Sequence, residues 1–241
     1  MSLPSPLALL AQSWQFYRRH LWPLVKLIIL PSLLTILLVA IMALLVVLAT
    51  NLSSWQWVVL VPTLIIGLIG VIIMSLLGYA SLVYFLGHAS DYPGILPLWR
   101  TAWPLIGKFW LTQLLSGLIT TFGFILLIVP GIIFLTRYVF VPFTVVLDRK
   151  FGREALNVST SLVKGRFWAI FGRGLAISLF SWILSFLVTQ VDQPVIVGLL
   201  QILLYLTVAP LTTIYFYHLY QACKLEVNDL TPSRPTPASI A

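Results

Sequence analysis

Ser13-Trp-Gln-Phe-Tyr-Arg-Arg-His-Leu-Trp22 decides the fold, because its arrangement returns as Thr101-Ala-Trp-Pro-Leu-Ile-Gly-Lys-Phe-Trp110 and as Ser159-Thr-Ser-Leu-Val-Lys-Gly-Arg-Phe-Trp168. A hydroxyl opens each block, His20, Lys108 or Arg166 stands eighth, an apolar residue ninth and Trp tenth. A long apolar segment follows each copy. A cation and an indole at the mouth of a hydrophobic helix suit the boundary between membrane and water. Arg18, Arg19, Trp22, Lys108, Trp110, Arg166 and Trp168 are therefore the expected interfacial anchors.

Composition supports this reading. The chain has 241 residues, of which 60% are hydrophobic and only 8% charged, a balance foreign to a soluble domain with one core. Its apolar runs reach the length of about 20 residues that a membrane crossing needs. The net charge of +8 would suggest a nucleic-acid partner in a soluble protein. Here the cations sit at the ends of apolar segments, so the expected partners are membrane lipids, anionic ones in particular, and no nucleic acid. A membrane-protein partner or a homo-oligomer remains open.

Six spans are predicted, near residues 25–50, 56–86, 109–128, 131–147, 168–190 and 195–220. Arg18, Arg19, Lys26, Arg100, Lys108, Arg149, Lys150, Arg153, Lys164, Arg166 and Lys224 then fall on one side. The opposite connections, 51–55, the Pro130-Gly131 turn and 190–194, carry no Lys or Arg. By the positive-inside rule both termini are expected in the cytoplasm, in a multi-pass protein of a bacterial inner membrane. The apolar stretch Leu3 to Leu10 precedes its basic cluster instead of following one, so it is expected as an uncleaved segment.

Three amphipathic helices are expected to lie in the interface, near 5–20, 94–107 and 153–165. Ser5-Pro6 makes a good helix start, and Leu7, Leu10, Ala11, Trp14, Tyr17 and Leu21 share one face of the first. Ile95, Leu98, Trp99, Ala102, Trp103 and Ile106 repeat the stripe, with Pro104 expected to kink it, and Ala155, Leu156, Leu162 and Val163 give a weaker third. The expected fold is all-α: six transmembrane helices as three hairpin repeats, each preceded by an interfacial helix, in one domain over 1–224. A disordered cytoplasmic tail is expected over 225–241.

Leu126-Leu-Ile-Val-Pro-Gly-Ile-Ile-Phe-Leu-Thr-Arg-Tyr-Val-Phe-Val-Pro-Phe-Thr-Val-Val-Leu-Asp148, with Ala155-Leu and the block ending at Trp168, carries a resemblance. It is similar to a bacterial family of membrane domains that includes the membrane part of some glycerophosphodiester phosphodiesterases and stand-alone inner-membrane proteins of the YciC type. The resemblance implies a six-helix bacterial membrane domain. In the family's phosphodiesterases a separate catalytic barrel follows the membrane part, and here only a short stretch follows, so that activity is not carried over.

Few residues offer chemistry. Cys223 is the single cysteine, expected as a reduced thiol just beyond span six. The acids Asp91, Asp148, Glu154, Asp192, Glu226 and Asp229 all lie outside the predicted spans, which counts against ion-coupled transport. His20, His88 and His218 read as interfacial imidazoles, their spacing matching no metal signature. No glycine phosphate loop or nucleophile elbow is present, so neither a catalytic residue nor a cofactor or metal is expected.

Arg137 stands out. Near mid-depth of a short span four, an unpaired cation costs about 2.5 to 3.5 kcal/mol. It reads either as a contact for an anionic lipid or solute inside the bundle, or as a snorkelling cation that satisfies carbonyls freed by Pro130 or Pro142. Arg173 is expected to snorkel toward the cytoplasm. Gly174, Ser178, Ser181 and Ser185 form a narrow small-residue stripe expected as a helix-packing face, and Gly67, Gly70 and Gly78 a looser one. Prolines 31, 62, 142 and 210 are expected to interrupt spans. Two functional classes follow: a non-enzymatic scaffold, accessory or lipid-associated protein, or a transporter, channel or lipid translocator built around Arg137.

Overall fold

The computed structural model describes residues 4–50, 56–89 and 94–230, and among them every regular element is helical. The order is α1 (Pro6–Arg19), α2 (Leu21–Thr50), α3 (Gln56–Gly87), α4 (Ile95–Ala102), a 3-10 turn (Trp103–Leu105), α5 (Ile106–Leu126), α6 (Ile128–Arg137), α7 (Val141–Val146), α8 (Arg153–Val163), α9 (Phe167–Thr189) and α10 (Pro194–Leu230). Six stretches are long and apolar enough to cross a membrane: Leu21–Leu48, Leu60–Gly87, Ile95–Leu126, Ile128–Val146, Phe167–Thr189 and Pro194–Val227. A helix keeps its backbone hydrogen bonds within itself, which is what a lipid surrounding demands. Successive long helices pack in pairs, α2 with α3, α5 with α6, and α9 with α10.

The core lies toward one end of the helices, the end where the basic residues gather. Leu24 and Leu27 bury near the start of α2, Leu77 to Leu86 contribute near the end of α3, Phe109 near the start of α5, and Leu211 to Cys223 in the last part of α10. All six residues of α7 are buried. Toward the opposite end Leu44, Ile66, Phe122, Phe186 and Leu203 are exposed.

α1 starts as expected, with Ser5 Oγ accepting from Ala8 N–H at 3.2 Å and Pro6 in the first turn. Its buried face differs from the expected stripe. Leu9, Ser13 and Tyr17 are buried, while Leu7, Ala11 and Trp14 are exposed. Ser13 tolerates burial because its hydroxyl donates to Leu9 O at 2.7 Å. Tyr17 donates to Leu206 O at 3.4 Å. Pro210, four residues further along α10, has no N–H for that carbonyl, so α1 supplies the missing donor.

Several expected boundaries move. α2, α3 and α10 run through Pro31, Pro62 and Pro210 without a break, whereas Pro142 stands in the first turn of α7 after an interruption at 138–140. Pro104 likewise falls in the 3-10 turn. The α5–α6 reversal sits at Leu127, extended at φ −164 and ψ 152, and not at Pro130-Gly131, which fall inside α6. The glycines explain the shift: a Cβ on Gly123 would lie 3.0 Å from Gly131 Cα, so these two positions let the hairpin close. Helix α10 continues to Leu230 instead of giving way to a tail at 225, since Lys224 and Glu226 are held by neighbouring elements. Residues 231–241 of the expected tail lie outside the described residues.

Candidate functional site

Val129, Ile132, Ile133 and Arg137 lie on one face of α6, and that face borders the corner where α8 hands over to α9. Thr160, Val163, Lys164, Gly165, Phe167, Trp168 and Phe171 complete a groove of about 760 Å³. The corner turns at Gly165, whose φ of 80 is a left-handed value that favours glycine. Lys164 N–H closes on Thr160 O at 3.0 Å and Arg166 N–H on Val163 O at 3.0 Å. Ser159 Oγ donates to Arg137 O at 2.7 Å, satisfying a carbonyl at the end of α6 and pinning that end to α8.

Arg137, read either as an anionic contact inside the bundle or as a snorkelling cation, is set by the structure at the end of a helix. It is the last residue of α6 and is exposed, because the helix stops before the Pro142 turn and leaves the side chain at the groove mouth. Lys164 is exposed beside the same groove. Among the described residues neither side chain forms a hydrogen bond or an ion pair. α9 begins at Phe167 without a side-chain cap.

Trp22, Trp110 and Trp168 are 71%, 41% and 78% exposed. Arg18, Arg19 and Lys108 are exposed too, with Lys108 Nζ 4.7 Å from the Phe151 ring centroid and Lys26 Nζ 5.6 Å from that of Trp22. Arg166 departs from this group. It is turned inward, 3.2 Å from Glu226 Oε2 and 3.3 Å from Cys223 O. Cys223 itself is fully buried, not a surface thiol.

A network around Asp148 went unseen in the sequence. Tyr220 Oη donates to Asp148 Oδ2 and Lys224 Nζ to Oδ1, both at 2.5 Å, so the stretch after α7 is tied to α10. Phe140 and Phe143 pack on the Tyr220 ring at 5.8 and 5.5 Å. The spacing of Tyr220 and Lys224, one helical turn apart, was the available signal. Gly152 N–H donates to Thr112 Oγ1 at 2.9 Å, fixing α8 against α5. Lys150 pairs with Glu154 at the partly exposed surface, and that hydrogen bond and charge raise the lysine pKa.

The expected packing stripe on α9 is split. Gly174 and Ser181 are half-buried beside the buried Ile170 and Ile177, whereas Ser178 and Ser185 are exposed. The glycines of α3, expected as the looser set, face the closer neighbours: a Cβ would lie 2.7 Å from Leu38 at Gly70 and 3.1 Å from Pro31 at Gly78. Arg173 donates to Pro4 O at 2.9 Å and Ala169 O at 2.8 Å, anchoring the chain's start to α9. His20 and His88 each face a carbonyl one turn back, Phe16 O and Tyr84 O, at 3.2 Å. Among the described residues no three His, Cys, Asp or Glu side chains group as metal ligands, and Asp91 lies outside them.

No protein-family model, no curated protein and no solved structure matches this chain. The fold defines the class alone: an all-helical chain whose six long apolar helices fit a multi-pass membrane protein.

Proposed function

We propose that this protein is a non-enzymatic, lipid-associated scaffold or accessory protein of a bacterial cytoplasmic membrane, built as three hairpins with α1, α4 and α8 as interfacial helices and both termini in the cytoplasm. The observation that carries the reading is the exposure of Trp22, Trp110 and Trp168 at or near the starts of three long apolar helices, with Lys26 beside the first indole, Lys164 lining the same groove as the third, and exposed Lys108 in the first turn of the helix that carries the second. The YciC-type resemblance points the same way. The cations near these indoles also suit an anionic leaflet, which attracts basic residues by about 1 kcal/mol each.

Two measurements test it. In a Cys223→Ala background, Gln15→Cys should react with an impermeant maleimide only after spheroplasts are opened, and Gln193→Cys, beyond α9, should react in intact ones. Both positions are exposed, unlike Cys223. The reverse pattern would sink the orientation. Proteoliposomes of the full chain should move no ion, solute or lipid above empty vesicles. Flux abolished by Arg137→Gln would replace the scaffold with a transporter.

A further inference from the structure

The groove between α6 and the α8–α9 corner combines two features in one cavity. Its mouth carries two cations, Arg137 and Lys164, with no protein partner among the described residues. Its walls are Val129, Ile132, Ile133, Phe167 and Phe171, apolar and in continuity with helix faces that face outward. Soluble anions need the first feature and have no use for the second. A hydrocarbon chain alone needs the second and gains nothing from the first.

We infer that the groove holds one acidic glycerophospholipid, its phosphate between Arg137 and Lys164 and an acyl chain along Ile133, Ile132 and Val129. The inference rests on the lipid-associated reading above and gives it a specific ligand class. Charge complementarity selects the headgroup, since no carboxylate lines the groove to oppose it. The uncapped start of α9 at Phe167 adds favourable dipole charge on the same side. Trp168, exposed at the mouth, supplies an indole at headgroup level. The hydrogen bond from Ser159 to Arg137 O fixes the backbone from which Arg137 projects beside α8, the helix that leads into Lys164.

The test uses the full chain in nanodiscs of equal phosphatidylglycerol and phosphatidylcholine, released for native mass spectrometry. Wild type should retain phosphatidylglycerol preferentially. Arg137→Gln and Lys164→Gln should each lower its retention about fivefold and the double variant roughly twenty-five-fold, the scale expected for a basic residue at an anionic surface. Arg137→Lys should keep most of the binding because the charge remains. Ile133→Trp should expel the lipid with both cations in place, by filling the path of the chain. Lys164→Gln changes an exposed turn residue, so it reports on the site even where an Arg137 variant folds poorly. Equal retention of both lipids, wild-type retention by the double variant, or displacement by millimolar inorganic phosphate would overturn the inference. Any of these leaves the three tryptophan corners and the maleimide topology standing, so the two readings fail separately.

Discussion

At the basic end of the molecule, α7 lies wholly buried among α3, α5 and α8, with Phe143 stacked on Tyr220 of α10. Toward the other end, Leu44 of α2 and Ile66 of α3 face outward, and the two helices meet where Gly70 lies against Leu38. The first region is cohesive in the way of a water-soluble core, with aromatic stacking, capped carbonyls and ion pairs. The second has no driving force to gather its leucines, because lipid tails are as apolar as they are. Helices there stay together by close approach at glycine. Stability is thus expected to reside unevenly, and substitutions of equal size should cost unequal amounts at the two ends.

The sharpest way to break that contrast is a pair of large-to-small changes followed by thermal unfolding in one detergent. Phe143→Ala should cost about 3–5 kcal/mol by leaving a cavity under Tyr220. Leu44→Ala, at an exposed site, should stay within about 0.5 kcal/mol. Comparable losses would show that the two ends are equally packed.

Polar ties give a second, smaller contrast. Asp148→Asn removes the charge that Lys224 and Tyr220 address and should cost about 1–3 kcal/mol, toward the lower value because Lys224 is partly open to solvent. Asp192→Asn, exposed between α9 and α10, should be neutral in the same assay. The smallest effect sharpens the assignment of faces on α9. A Cβ at Gly174 would sit 3.6 Å from Phe216, so Gly174→Leu should destabilise by about 1 kcal/mol or more, while Ser185→Leu should be tolerated. Equal tolerance would mean that α9 turns both positions to lipid.

The apolar runs made the six long helices readable, because length and composition alone decide whether a segment suits a bilayer. The same uniformity hid their internal breaks. Between Ile125 and Ile133 only Pro130 and Gly131 interrupt a run of apolar residues, so the turn was expected at those two residues when an extended Leu127 makes it. Helical spacing put Gly174, Ser178, Ser181 and Ser185 on one stripe, yet spacing says nothing about which neighbour a stripe meets. The ties of Asp148 span 72 and 76 residues to Tyr220 and Lys224, a separation that no local pattern reveals. Arg137 was legible as an unusual cation. Its companion Lys164 belonged to the third basic-aromatic block, and only the fold sets the two beside one groove.

The apolar turn at Leu127 bears on the thickness of the surrounding bilayer. Helix α6 has 10 residues and rises about 15 Å, while the 30 residues of α2 rise about 45 Å. Leu126, Leu127, Ile128 and Val129 at the tip are all exposed and offer water no side-chain partner. An apolar tip of this kind suits contact with acyl chains better than contact with water. Around α2 the bilayer meets a helix longer than the hydrocarbon is deep, a mismatch relieved by tilt. The α5–α6 hairpin is therefore asymmetric, a 21-residue helix descending to the tip and a 10-residue one leaving it, so its short arm hands over to the buried α7 while α2 runs on unbroken.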